Sequence, residues 1–204
     1  MNKVITISRL YGSGGREIGK LLAEQLDIPF YDYEVIERAA KESGFAKETF
    51  ENAESKATSS FLYSIAMGMN AYGNQEIGYN TLSLDDRIFL AQSEVIRKYA
   101  QEGPCVIVGR CADFVLRDMP NLVSVFVWAD VEFRIKRAME LKELDEDRAK
   151  QQIKKIDKQR RNYYNYHANN KWGQSENYDL SIRSDKIGIS KSAKVIEAYV
   201  NGTE

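Results

Sequence analysis

Val4-Ile5-Thr6-Ile7-Ser8-Arg9-Leu10-Tyr11-Gly12-Ser13-Gly14-Gly15-Arg16-Glu17 runs from an apolar segment into a glycine-rich turn, and the stretch from Glu17 to Leu26 then reads as a helix. Strand, glycine turn and helix in that order make a phosphate cradle. Glycines let the backbone approach an anion closely, and the first N–H groups of a helix point at it with the positive end of the macrodipole. In the usual form of this motif the loop ends Gly-Lys-Ser/Thr, with lysine on the outer phosphates and a hydroxyl on Mg²⁺. Here Gly15 stands in the lysine position, followed by Arg16 and Glu17. A guanidinium at Arg16 is larger, planar and forked, so it reaches a phosphate along a different path. The candidate phosphate-binding set is Gly12, Ser13, Gly14, Gly15, Arg16 and Glu17. Glycine also fills ordinary tight turns and helix caps, so the loop needs support from the rest of the chain.

The chain has 204 residues, enough for one domain with a proper core and too few for two large ones. Its 29 Lys and Arg nearly cancel its 30 Asp and Glu. The global field therefore argues neither for nucleic acid nor for an anionic membrane surface, and anion selectivity must be local. Apolar runs are far shorter than a bilayer span and no signal-peptide pattern precedes the first strand, which predicts a cytoplasmic protein. Cys105 and Cys111 have no histidine or cysteine partners at metal spacing and read as buried thiols; no metal-ligand set is expected. His167 is the single histidine, set among tyrosines and asparagines, which disfavours a histidine-based hydrolase.

Apolar runs at Val4 to Ile7, Cys105 to Val108 and Leu122 to Val127 read as buried parallel strands. Shorter strands around Pro29 to Tyr31 and Tyr178 to Ile182 bring the sheet to five. Long amphipathic stretches alternate with them, an α/β pattern. Tyr33 to Lys56 reads as helical. Phe61 to Tyr79 turns to glycine, asparagine, methionine and tyrosine, a composition that suits either a homodimer contact or a plain covering loop. Asp85 to Glu102 is an amphipathic helix stopped by Gly103-Pro104, Asp130 to Leu141 carries Arg134 and Arg137, and Asp145 to Tyr166 is very polar. The lysines and acids of that last helix have the composition of a solvated face.

In open α/β sheets, ligands collect at the carboxyl ends of the strands. Basic residues recur there in this chain: Arg9 and the glycine loop after the first strand, Asp32 and Arg38 after the second, Gly109-Arg110 after the third, and Arg134 with Arg137 after the fourth. Arg38, Arg134 and Arg137 also admit simple surface pairing. Arg110 follows a buried strand directly, where a charge needs a partner or a ligand.

These segments resemble the nucleoside monophosphate kinase group, most closely the cytidylate kinase-like family. The resemblance rests on Ile7 through Gly19, on Phe30-Tyr31-Asp32 with Ile36 and Arg38, and on Val106-Ile107-Val108-Gly109-Arg110-Cys111-Ala112-Asp113. It continues in Asp157-Lys158-Gln159-Arg160-Arg161, Lys171-Trp172-Gly173 and Asn177-Tyr178-Asp179-Leu180. It implies a single three-layer P-loop kinase-like domain over 1–204, with an acceptor-side helical insert at 33–84 and a helical lid at 145–172. It also implies ATP and Mg²⁺ as cofactors. By resemblance, Arg38 and Arg110 hold an acceptor monophosphate, Asp32 and Asp113 face the acceptor, and Arg134, Arg137, Arg160 and Arg161 join Arg16 as the catalytic cations. The missing lysine and the segment Ser59 to Thr81 depart from the family pattern.

Phosphoryl transfer asks mainly for positioning and charge neutralisation, which clustered arginines supply. The expected activity is ATP-dependent transfer to a small acceptor, CMP or dCMP by resemblance. A non-catalytic nucleotide-binding protein and a kinase for a non-nucleotide acceptor are the alternatives.

Overall fold

The structure is a computed structural model in which residues 3–32, 34, 35, 38, 42, 83–168 and 170–202 are described. Strands β1 (Val4–Arg9), β2 (Phe30–Tyr31), β3 (Cys105–Val108), β4 (Leu122–Trp128) and β5 (Leu180–Arg183) form one parallel sheet in the order β2-β3-β1-β4-β5. The five expected strands are all present. β1 extends to Arg9, so the last residue before the glycine turn belongs to the strand.

Side chains alternate across a strand, and β1 shows the consequence. Ile5 and Ile7 point to one face, where they meet Ile18 and Leu22 of α1 (Gly15–Leu26) and Ala193, Ile196 and Val200 of α7 (Ile189–Gly202). Val4 points to the other face, packing with Ile88, Val95 and Ile96 of α2 (Leu84–Glu102) and with α3 (Ala112–Val115). The sheet thus lies between two helical layers, which is why its central strands are apolar on both faces.

Two further helices follow β4. α4 (Val131–Lys142) is capped by Asp130, whose carboxylate accepts from Glu132 N at 3.0 Å. α5 (Glu146–Ala168) runs back past the glycine turn. A 3₁₀ turn (Ser175–Asn177) precedes β5, and α6 (Ser184–Ile187) follows it. The segments expected to be helical over 33–56 and to form a loop or dimer contact over 61–79 lie mostly outside the described residues; Glu34, Val35, Arg38 and Glu42 are helical. No helix among the described residues is long and apolar enough to cross a membrane.

Candidate active site

The glycine turn closes with Gly12 at φ 78° and Gly14 at φ 80°, left-handed values that glycine adopts without the Cβ penalty. Space is as restrictive as torsion here. A Cβ on Gly12 would lie 2.7 Å from the Arg134 carbonyl oxygen, and one on Gly15 would lie 2.6 Å from Arg9 Cβ. Gly14 is the N-cap of α1 and has no side chain to cap it, unlike Ser83 at α2 and Asp130 at α4. The first turn of α1 thus offers its N–H groups to an outside acceptor, the arrangement suited to a phosphate.

Ser13 is fully buried, and its Oγ lies 2.8 Å from Leu10 O and 3.1 Å from Val127 O. Ser184 Oγ donates to Ser13 O at 2.6 Å. Ser13 therefore shapes the loop from behind. Arg16 donates from Nε to Asp32 Oδ2 at 2.7 Å, and its side chain remains 62% exposed. Glu17 accepts from Arg137 Nη2 at 2.6 Å and holds that cation beside the loop.

Arg9 reaches across the ends of β1 and β3. A Cβ on Gly109 would lie 2.1 Å from Arg9 Nη1, so the glycine leaves the volume that this guanidinium fills. Its Nη2 is 4.0 Å from Asp32 Oδ1. Arg160, from α5, donates Nη1 to Arg9 O at 3.1 Å and lies over the Tyr11 ring at 5.7 Å. Arg110, at the end of β3, holds φ 58°. Burial pushes Arg9 and Arg110 below the usual arginine range; Asp32 opposes this at both, while the charge of Arg16 adds to it at Arg9 and that of Arg9 adds to it at Arg110. For Arg160, burial and then the charges of Arg9 and Arg110 bring the value down to about 9, opposed by Asp157 and Asp32.

The result is a crevice at the strand ends where Asp32 pairs with Arg9 and Arg16 and its charge is felt by Arg110 and Arg160. It opens beside a cavity of about 330 Å³ walled by the glycine loop, Arg9, Arg16, Glu17, Arg137 and Arg160. Desolvated like charges raise one another's free energy, so this region favours an anion. Arg9 belongs to the series of cations that follow the strands. The argument that marked Arg110, a charge directly after a buried strand, applies equally to Arg9.

Other expected site residues have different surroundings. Arg134 is buried, donates Nη1 to Asp157 Oδ2 at 2.5 Å and lies 3.3 Å from Tyr11 O, while Asp157 Oδ1 accepts from Tyr11 N at 2.7 Å. These two helices thereby hold the glycine turn at Tyr11. Asp113 is buried, accepting from Tyr164 Oη at 2.7 Å and Ser8 Oγ at 3.4 Å. Burial raises its carboxyl above the usual range. Arg38 donates to Glu42 at 3.0 Å and lies over the Tyr99 ring. Arg161 lines the groove between α4 and α5 and another cavity beside Phe126, Trp128 and Trp172, not the cavity at the glycine loop. His167 is stacked on Phe89 at 3.9 Å and edged by Tyr163 and Tyr166, and burial lowers its pKa to about 4.

No cluster of three or more histidine, cysteine or acidic side chains arranged to hold a metal occurs among the described residues. The donor chemistry of the cradle suits phosphate oxygens. Mg²⁺ characteristically keeps water ligands and binds through substrate phosphates, so an Mg-ATP complex needs no dedicated protein cage.

A glycine cradle at the end of β1, in a five-stranded parallel sheet ordered 2-3-1-4-5, defines a P-loop kinase-type domain. The chain belongs to the cytidylate kinase-like family, whose profile matches residues 4–186. An uncharacterized protein from Eubacterium ventriosum is 30% identical, with a TM-score of 0.74 over 98% of this chain and 99% of that one. Shikimate kinase from Bacteroides thetaiotaomicron shares the fold at 12% identity, with a TM-score of 0.55 over 98% of this chain and 99% of its own. Shikimate kinase from Acinetobacter baumannii, solved with shikimate, gives a TM-score of 0.52 at 12% identity, covering 100% of this chain and 96% of its own. No curated protein matches.

Proposed function

We propose that this chain transfers the γ-phosphoryl group of Mg-ATP to a small acceptor, with CMP or dCMP as the first acceptors to test. The observation that carries this reading is the cavity at the open, glycine-rich helix start, walled by Arg9, Arg16, Arg137 and Arg160, with Asp32 paired to Arg9 and Arg16. The loop N–H groups would hold the ATP phosphates. Arg137, steadied by Glu17, flanks the same cavity. Arg160 and Arg9 would face the charge that spreads over the equatorial oxygens during transfer, and Arg110 would hold an acceptor phosphate. Mg²⁺, brought in on the nucleotide, would supply charge neutralisation at its phosphates. α5, as part of a lid over 145–172, would exclude water from the reacting groups. Family membership and the kinase fold support this reading.

A second reading rests on the loop itself. Gly15 replaces the phosphate-binding lysine and Ser13 turns its hydroxyl to backbone carbonyls, a combination that suits nucleotide binding without turnover. A hydroxylated, non-nucleotide acceptor keeps the kinase reading and changes only its substrate.

An ADP-release assay with Mg-ATP, run across nucleoside monophosphates and hydroxylated carboxylates including shikimate, separates the readings when paired with an ATP titration. Turnover dependent on CMP or dCMP is the expected result. Tight ATP binding without turnover on any acceptor supports the non-catalytic reading, and absence of ATP binding overturns the phosphate-cradle assignment.

A further inference from the structure

The helix pair α4 and α5 encloses a second cavity of about 330 Å³, distinct in its lining from the one at the glycine loop. Lys150, Lys154, Lys158 and Arg161 follow one another along α5 at spacings of four, four and three, which places them on one face of the helix. Ile135 and Ile153 form its apolar wall, and Arg134 enters from α4. The sequence composition of α5 suits a solvated face, but a cavity faced by five cations and one carboxylate is a different object.

Charge accounting sharpens the point. Asp157 is the single acid of the lining and is engaged by Arg134 and by Tyr11 N. Lys150 pairs with Glu146 at 2.5 Å. Lys154, Lys158 and Arg161 take part in no ion pair among the described residues. Arg134, nearly buried and already paired with Asp157, forms the floor of the cavity. Three cations with no ion-pair partner among the described residues, Lys154, Lys158 and Arg161, on one concavity leave it with an excess of positive charge that a bound anion would neutralise.

We propose that the α4–α5 cavity is a second anion site that binds a small phosphate-bearing ligand, with Lys154, Lys158 and Arg161 as the principal contacts and Arg134 as its base. The concave shape and volume fit a small molecule, whereas an extended nucleic acid would need a broad basic surface. A ligand here rests against the Arg134–Asp157 pair that grips Tyr11, and so touches the support of the glycine loop without entering it. The site stands independently of the kinase reading.

Inorganic tripolyphosphate, titrated calorimetrically into the full chain at low salt, is the probe. Three other proteins are titrated beside the wild type: Lys154→Ala/Lys158→Ala, Lys154→Arg/Lys158→Arg and Arg160→Ala. The alanine pair is expected to weaken one binding event by about tenfold, from the loss of two exposed charge contacts, while the arginine pair retains it. Arg160→Ala should leave this event in place and weaken the one at the loop. The lysines are exposed, so matching unfolding midpoints will show that each variant is folded. Superimposable isotherms for the wild type and the alanine pair overturn the proposal. Failure of the kinase reading has a different signature: Mg-ATP does not bind while the lysine-dependent event persists.

Discussion

His167 and Gly109 show how much a single position can carry in this chain. His167 is held neutral by burial among Phe89, Tyr163 and Tyr166, with a pKa lowered to about 4. A histidine whose folded pKa lies below its unfolded value of about 6.5 takes up a proton more readily on unfolding, so it lowers stability as pH falls from about 6.5 toward 4. The His167→Phe variant should lose less stability than wild type between pH 7 and pH 5, by up to about 2 kcal/mol, measured by denaturant unfolding at both values. Asp113 acts in the opposite direction because burial raises its carboxyl, so the difference between wild type and variant isolates the histidine. At Gly109, φ is 82° and a Cβ would collide with Arg9 Nη1. Gly109→Ala should cost about 1–2 kcal/mol from the left-handed backbone and displace the Arg9 guanidinium. Paired unfolding and Mg-ATP titrations are expected to show weaker nucleotide binding beyond that modest loss of stability.

α5 illustrates what element-level pattern does and does not reveal. Its boundaries were legible, since the expected Asp145 to Tyr166 helix is observed as Glu146–Ala168. Its internal assignments were not. Asp157 and Lys158 adjoin in a run of mixed charge, yet Asp157 is buried against Arg134 and Tyr11 while Lys158 is exposed. Periodicity of charge cannot distinguish them, because the partners come from the glycine turn and from α4. Asp157→Ala would leave Arg134 buried without its counter-ion, and about 3 kcal/mol or more of stability should be lost. Replacing both members, as Arg134→Met/Asp157→Leu, should recover most of that loss in equilibrium unfolding, since the uncompensated charge is gone. If the double variant is as unstable as the single one, the lost contacts to Tyr11, and not the uncompensated charge, account for the destabilisation.

The whole molecule gathers cations where the sheet ends, and this makes its stability depend on its ligand. Arg9, Arg110 and Arg160 are desolvated and mutually repelling, with Asp32 placed among them. Any anion bound there stabilises the folded state alone. With Mg-ATP at about 100 times its Kd, the gain should be about 2.7 kcal/mol, or roughly 5–10 °C in Tm for a domain of this size. Thermal unfolding with and without Mg-ATP measures it, and Arg160→Ala should shrink the increment. An increment unchanged in that variant would remove Arg160 from the nucleotide's surroundings.

Strand and helix placement follows from the chain's own chemistry. The apolar runs became the five strands, and the glycines at 12, 14 and 15 stand where side chains cannot fit. Arg110 was recognisable because a charge next to a buried strand needs an explanation, and Arg9 was recognisable by the same rule. Tertiary structure alone decided which charges meet. Arg16 turns to Asp32 and Glu17 to Arg137, Asp113 joins Tyr164, and Arg134 supports Tyr11. Local sequence governs torsion and burial pattern, whereas a long flexible charged side chain chooses among partners that only the packing of distant segments brings within reach.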